Sequence, residues 1–223
     1  MIDPEAVASN AEVIRQRIAE VGADPDAIEL IAVTKGFGAE AIIAARQVGF
    51  EVVGESYAQE LIQKWPAVVA ELGSDTPTVH FIGGLQKNKI RKLADIVGVW
   101  QSVDRSSVAV ELAKRQPGAT VFVQINVSGS AAQGGCPIEE GATFVEECRV
   151  LGLDVAGCMA IGPQGDDQTV RDGFDLAARF ADEHALAIRS FGMTGDLEHA
   201  VTAGSTMVRI GTALFGARPS RAG

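Results

Sequence analysis

Eight short β-rich runs alternate with amphipathic stretches along most of the chain, and this alternation limits the fold more than any other feature. The runs are ELIAVTK (29–35), EVVGE (51–55), TVHFIG (78–83), VGVWQSVD (97–104), ATVFVQINVS (119–128), LDVAGCMAIG (153–162), AIRSFGMT (187–194) and TMVRIGTALFG (206–216). Between them, AEAIIAARQVG, NKIRKLADIVG, SSVAVELAKRQ and GFDLAARFADEHA place apolar residues at helical spacing. Gly49, Gly98 and Gly152 stand where helices commonly end, and one more helix is predicted from Pro4 to Val21. Apolar strands alternating with helices imply a parallel sheet covered by helices. Eight strands in 223 residues predict an α/β fold, a single (β/α)8 TIM-type barrel with an extra N-terminal helix, spanning 1–223 as one domain. A doubly wound open sheet is the rival, but the first strand leads into TKGFGAE and not into a GxGxxG turn.

In a barrel of this kind the loops after the strands converge, so chemistry gathers at the strands' carboxyl ends. The first strand delivers Lys35 there, and the second Glu55 and Ser56. The sixth delivers Met159 to Gly162, the seventh Gly192, Met193 and Thr194, and the eighth Arg209, Gly211 and Thr212. A lysine at a strand end is either a solvated cap or, where its charge is discouraged, a nucleophile. Glycines beside a hydroxyl form a natural cradle for one phosphate dianion. Each feature also has a plainer role: Gly211 as a turn, Arg209 paired with a core carboxylate, Thr194 as a helix cap. Because the first and last strands are neighbours in a closed barrel, an amine beside an anion cradle points to a carbonyl-bearing phosphate ester held as a Schiff base.

Charge and composition exclude several alternatives. A net charge of −10 is wrong for a surface that reads nucleic acid. The apolar runs are too short to span a membrane, and the opening MIDPEAVASNAEV has no apolar segment of a secretory leader. Three cysteines without a CxxC predict neither a disulfide framework nor a zinc site, which suits the cytoplasm. His80, His184 and His199 are too scattered for a metal site. His80 is read as a packed core residue, and His184 and His199 as solvated helix residues. KNKIRK (87–92) is read as a solvated face, with docking of client proteins as the sharper alternative.

AVTK, GESYAQEL, HFIGGLQKNK, SVDR, QINVSG, GLDVAGCMAI and FGMTGDLEHAVTAGSTMVRIGTALFGAR together resemble the YggS/PROSC family of pyridoxal-phosphate homeostasis proteins. That family is similar in fold to the N-terminal barrel of alanine racemase. The resemblance implies that Lys35 carries pyridoxal 5'-phosphate (PLP), that Thr194, Gly211 and Thr212 hold its phosphate, and that Arg209 faces the pyridine nitrogen. Met159 and Met193 line the same site. Ser56, Gly84, Phe37 and Gln133 depart from the family pattern, the last two standing where many relatives have further lysines. Binding, buffering and delivery of PLP is the implied function, with apo PLP-dependent enzymes as transient clients. No residue is assigned a catalytic role. The alternatives are a weak PLP-dependent amino-acid racemase and a cofactor-free Schiff-base aldolase. The chain ends soon after the eighth strand, so neither a racemase's second domain nor a dimer arm is expected, and a monomer is. The sole tyrosine, Tyr57, is expected to pack.

Overall fold

The alternation closes into a ring. In the computed structural model, which describes residues 2–130 and 132–218, the strands are β1 (Glu29–Val33), β2 (Val52–Glu55), β3 (Thr78–Phe81), β4 (Val97–Val103), β5 (Thr120–Asn126), β6 (Cys136–Pro137), β7 (Asp154–Met159), β8 (Ile188–Ser190) and β9 (Met207–Ile210). All but β6 form the barrel, in the order β4-β3-β2-β1-β9-β8-β7-β5, and a β4–β5 pairing closes it. Every pairing is parallel. The two-residue β6 adds to the end of β5, where Ile125 pairs with Cys136.

The helices are α1 (Pro4–Glu20), α2 (Ala39–Gln47), α3 (Ala58–Leu72), α4 (Lys87–Leu93), α5 (Ser106–Arg115), α6 (Ile138–Val150), α7 (Asp167–Glu183), α8 (Leu197–Thr202) and α9 (Thr212–Phe215). Side chains alternate across each strand, so the barrel has two cores. Leu30, Ala32, Val53, Val79, Phe81, Trp100, Val121, Val123, Val208 and Ile210 pack outward against the helices. Ile31, Val33, Val52, Phe122, Met159 and Met207 fill the interior. Each fully buried side chain of this size stabilises by about 1.5–3 kcal/mol.

The N-terminal helix braces the mouth of the barrel. Asp3 caps α1, its carboxylate accepting from the Glu5 N–H at 3.1 Å, and Pro4 suits the first turn. Asn10 donates to the Leu214 carbonyl at 2.9 Å, tying α1 to α9. Arg17 donates to both oxygens of Glu198 at 2.7 and 3.0 Å and to the Thr194 carbonyl at 3.0 Å.

Some boundaries differ from the sequence reading. The last run, 206–216, is a strand only through Ile210; Thr212–Phe215 is helical. The run at 187–194 keeps only Ile188–Ser190 as strand. β-branched and aromatic residues continue past both strand ends, which masks the point where the ladder stops. Gly98 does not end a helix but lies inside β4, where a Cβ would come 2.7 Å from Thr78 Cγ2. Gly49 and Gly152 do follow α2 and α6, in left-handed conformation.

A buried ionic cluster clamps the turn after β1. Lys64, on α3, donates to the carbonyls of Thr34 and Phe37 and to Glu60 Oε1, each at 3.0 Å. Its ammonium also lies 2.7 Å from Glu55 Oε1, which accepts from the Thr34 hydroxyl at 2.5 Å. Glu60 Oε1 in turn accepts from the Gly36 N–H at 2.7 Å. Burial pushes the Glu55 carboxyl up, against the pull of Lys64, and among the described residues Glu55 Oε2 is buried without a hydrogen-bond partner. Removing the cation would strand a buried carboxylate and two carbonyls. Lys64→Met is therefore expected to cost about 3–5 kcal/mol in urea unfolding. Adding Glu55→Gln to it should recover much of that loss by removing the uncompensated charge.

Candidate cofactor-binding site

The carboxyl ends of the strands surround a cavity of about 220 Å³ lined by Val33, Lys35, Ile82, Met159, Ile161, Met193, Thr194, Gly195, Arg209, Gly211, Thr212 and Arg218. All seven residues singled out from the sequence, Lys35, Met159, Met193, Thr194, Arg209, Gly211 and Thr212, meet there. A larger groove of about 690 Å³ lies at the opposite end of β1, β2 and β9 and is lined by Glu12, Arg15, Asp26, Glu29 and Glu51 among others. Burial and the nearby Glu51 raise the Glu29 carboxyl. That groove faces the amino ends of the strands, away from the converging loops.

Lys35 projects from the turn that the Lys64 cluster holds. It is half-buried, and among the described residues no hydrogen bond engages its amine. Burial holds its ammonium below the ordinary lysine range, and the cations of Arg218 and Arg209 push the same way against Glu55. Closure of the barrel sets the neighbours: β1 pairs with β9 so that Ile31 faces Arg209 and Ala32 faces Ile210. Gly211 serves this close approach directly, because a Cβ there would lie 3.3 Å from the Val33 carbonyl oxygen.

Arg209 is a buried cation inside the barrel, and no carboxylate among the described residues bonds to it. Its guanidinium donates to the Ser190 carbonyl, to the Ser190 hydroxyl at 2.8 Å and to the Ala160 carbonyl at 2.9 Å. Burial lowers its pKa to about 10, which leaves it charged at neutral pH. Beyond it the polar chain runs across the barrel. The Ser190 hydroxyl donates to Gln101 Oε1 at 2.7 Å, and Gln101 Nε2 lies 2.6 Å from His80 Nδ1. His80 is buried edge-on to Phe122, and burial lowers its pKa to about 4. A neutral ring accepting at Nδ1 completes a series in which every hydrogen points away from Arg209.

One side of the cavity is built from two loops. α9 begins at Thr212, and the first N–H groups of a helix lack intrahelical partners. Thr194 is not a helix cap: α8 starts after Asp196, whose carboxylate accepts from the Met193 N–H at 2.6 Å. The Thr194 hydroxyl thus remains half-buried beside Gly195, with its carbonyl anchored by Arg17.

Other expectations fare unevenly. Tyr57 is 41% exposed at the start of α3 and does not fill a core. His199 is half-buried, 3.6 Å from Asp167, and His184 packs on Phe180 with centroids 4.5 Å apart, so neither is freely solvated. The three cysteines are free and buried, and burial pushes Cys136 up to about 11, Cys148 up to about 12 and Cys158 higher still. Among the described residues no group of histidines, cysteines and carboxylates is placed to hold a metal, and no helix is long and apolar enough to cross a membrane. Gln133 donates to the Ile161 carbonyl at 2.7 Å, whereas Phe37 is buried against Phe215.

The family model for the alanine racemase N-terminal domain matches residues 2–219. A pyridoxal phosphate homeostasis protein of Pseudomonas aeruginosa is 36% identical, with 96% of this chain and 95% of that relative covered. One of Escherichia coli is also 36% identical, over 95% and 97%. The chain belongs to the YggS/PROSC family. PipY of Synechococcus elongatus, in a structure with PLP bound, superposes with a TM-score of 0.76 at 28% identity, covering 91% of this chain and all of that one. A crystal structure from Bifidobacterium adolescentis superposes at 0.89, with 28% identity and coverage of 96% and 98%. Alanine racemase of Clostridium difficile shares the fold alone, at 0.74 and 16% identity over 58% of its length.

Arg218, Ser190 and Gln101 escape the sequence reading of this family member. Gln101 lies within β4 beside Trp100, and Ser190 ends β8 between Arg189 and Phe191; only the inward register reveals them. The pH dependence of stability reports the buried chain. An unfolded His80 binds a proton below about pH 6.5, whereas the folded one resists until about 4. The unfolded state therefore holds more protons in that window, so stability falls as pH drops through it, by roughly 3 kcal/mol at full extent. Urea midpoints measured across the window should show a steeper loss in the native protein than in His80→Gln.

Proposed function

We propose that this protein binds PLP reversibly through Lys35 and carries or buffers it in B6 and amino-acid homeostasis. The observation that carries the reading is convergence: an amine with its charge discouraged, a fixed interior cation, a hydroxyl and a helix start all face one small cavity. The family's naming and the PLP-bound PipY structure support it.

The residues present fit the group. Lys35 offers an amine that loses its proton more readily than an ordinary lysine, as condensation with an aldehyde requires. Thr194, Gly211 and Thr212 would hold the phosphate, with the hydroxyl and backbone N–H groups as donors. Arg209 would face the pyridine nitrogen, and Met159 and Met193 would pack on the ring. When bound, PLP supplies an electrophilic aldehyde carbon on an aromatic ring able to accept electrons. Here the ring nitrogen would meet a cation locked by Ser190 and Ala160, which disfavours its protonation. The site would therefore hold the group without drawing strongly on its electron-accepting power. In this reading the protein works in the cytoplasm, which free buried thiols suit, and hands PLP to apo-enzymes.

Three linked measurements test the proposal. Mixing the protein with PLP should give a visible chromophore, borohydride should fix it, and peptide mapping should place the label on Lys35. Lys35→Ala should abolish chromophore and label together; a label on another lysine overturns the assignment. The uptake rate should rise with pH to a midpoint below the value of about 10.4 for an ordinary lysine, since only the neutral amine attacks. Incubation with L-amino acids followed by chiral analysis separates a carrier from a racemase.

A further inference from the structure

Beyond the residues already placed around the cavity, one cation reaches it from the far end of the chain. α9 ends at Phe215, and Gly216 follows with a φ of +77°, which favours glycine. Arg218 follows, exposed, and lines the cavity with Lys35, Thr194, Gly195, Gly211 and Thr212. Its aliphatic stem lies across Gly36, so close that a Cβ at that glycine would sit 2.8 Å from Arg218 Cδ. Gly36 itself adopts φ +83°, so two separate constraints favour glycine beneath this side chain. The segment leading to Arg218 is anchored on both sides. Phe215 packs on Phe37 with ring centroids 5.5 Å apart, and Asn10 holds the Leu214 carbonyl. Among the described residues no carboxylate pairs with Arg218.

An exposed guanidinium without an anionic partner, laid over the mouth of a cavity that already collects N–H donors and a hydroxyl, is suited to a doubly charged oxyanion. We propose that Arg218 is a specificity residue that selects ligands carrying a phosphate monoester, by completing the anion cradle at the cavity mouth. The inference rests on the proposed binding of PLP at Lys35 and adds to it a selection step made by a residue outside the barrel strands. Arg209 cannot take this role, because its guanidinium is spent on Ser190 and Ala160 inside the barrel. Arg218 has a second effect on the site, since it also helps depress the Lys35 ammonium. In the free protein that effect is the same for any incoming aldehyde, whereas contact with the phosphate is not, so a ratio of two ligands separates them.

The experiment measures chromophore formation with PLP and with pyridoxal, which has the same aldehyde and ring but no phosphate. Native protein, Arg218→Gln and Arg218→Lys are compared at low and high salt. The ratio of PLP to pyridoxal uptake should fall about ten-fold in Arg218→Gln, be partly restored in Arg218→Lys, and lose much of its salt dependence without the guanidinium. Inorganic phosphate should slow PLP uptake by the native protein more than by Arg218→Gln; if it does not, selection acts on the ester and not on the free anion, and the proposal stands only if the aldehyde ratio has fallen. An unchanged ratio in Arg218→Gln, with Lys35 labelled normally, overturns the inference and leaves PLP binding intact. Equal slowing of both aldehydes also overturns it, because Arg218 would then act through the amine alone. Failure of the native protein to take up either aldehyde would instead remove the PLP reading on which the inference rests.

Discussion

The pairing of β1 with β9 is the contact on which the site depends. It joins the first strand to the last, and without it Lys35 and Arg209 would lie at opposite edges of an open sheet. Parallel strands need long crossovers, so closure can come only after the six intervening barrel strands and their helices have each placed their neighbours. The register then fixes the chemistry. With Ile31 opposite Arg209, the turn carrying Lys35 and the start of α9 rise on adjacent strands at the same end. The small contact surface of Gly211 against the Val33 carbonyl lets those two ends approach.

Closure would mean little if the strand ends were loose, and three separate devices stiffen them. Lys64 holds the backbone on both sides of Lys35 from the helix layer. α1 holds the loops of α8 and α9 through Arg17 and Asn10. From inside, the series Arg209–Ser190–Gln101–His80 ties β9, β8, β4 and β3 together across the barrel. These devices cost desolvation, since each takes charged or polar groups out of water. They are spent where position matters, around one amine and one guanidinium. The lower part of the barrel interior, by contrast, is filled by Ile31, Val52, Phe122 and Met207, for which volume is enough.

The barrel was legible in the sequence because its signal is repeated. Eight apolar runs alternating with helical patterns leave few topologies, and small errors at any one boundary do not alter the count. The same tolerance explains the misplaced ends of β8 and β9, where apolar residues run on past the last ladder bond. Lys35 and the residues of the last two strands were legible because a barrel places strand ends together whatever their separation in the chain. Lys64, Ser190, Gln101 and Arg218 were not. Lys64 and Glu60 look like a solvated i, i+4 pair until α3 packs on β1 and β2, and the burial of their partner Glu55 is a tertiary fact. Arg218 has no periodicity at all, and only the packing of its stem over Gly36 reveals it.

The electrostatics around Lys35 follow from which charges are fixed and which are free. Glu55 would stabilise the ammonium, but its oxygen near Lys64 is already committed to the clamp, and its influence on Lys35 is the smallest of the contributions. The two arginines oppose the ammonium from different directions, one buried and immobile, the other exposed and anchored only through its neighbours. An incoming dianion would change that balance. By drawing on the exposed guanidinium it would weaken the repulsion between Arg218 and Lys35, favouring the charged amine while the anion is held, whereas Arg209 would continue to act as before. Loss of the anion would restore the repulsion and favour the neutral amine again. In that reading, holding and reactivity would be coupled through the charge of one side chain.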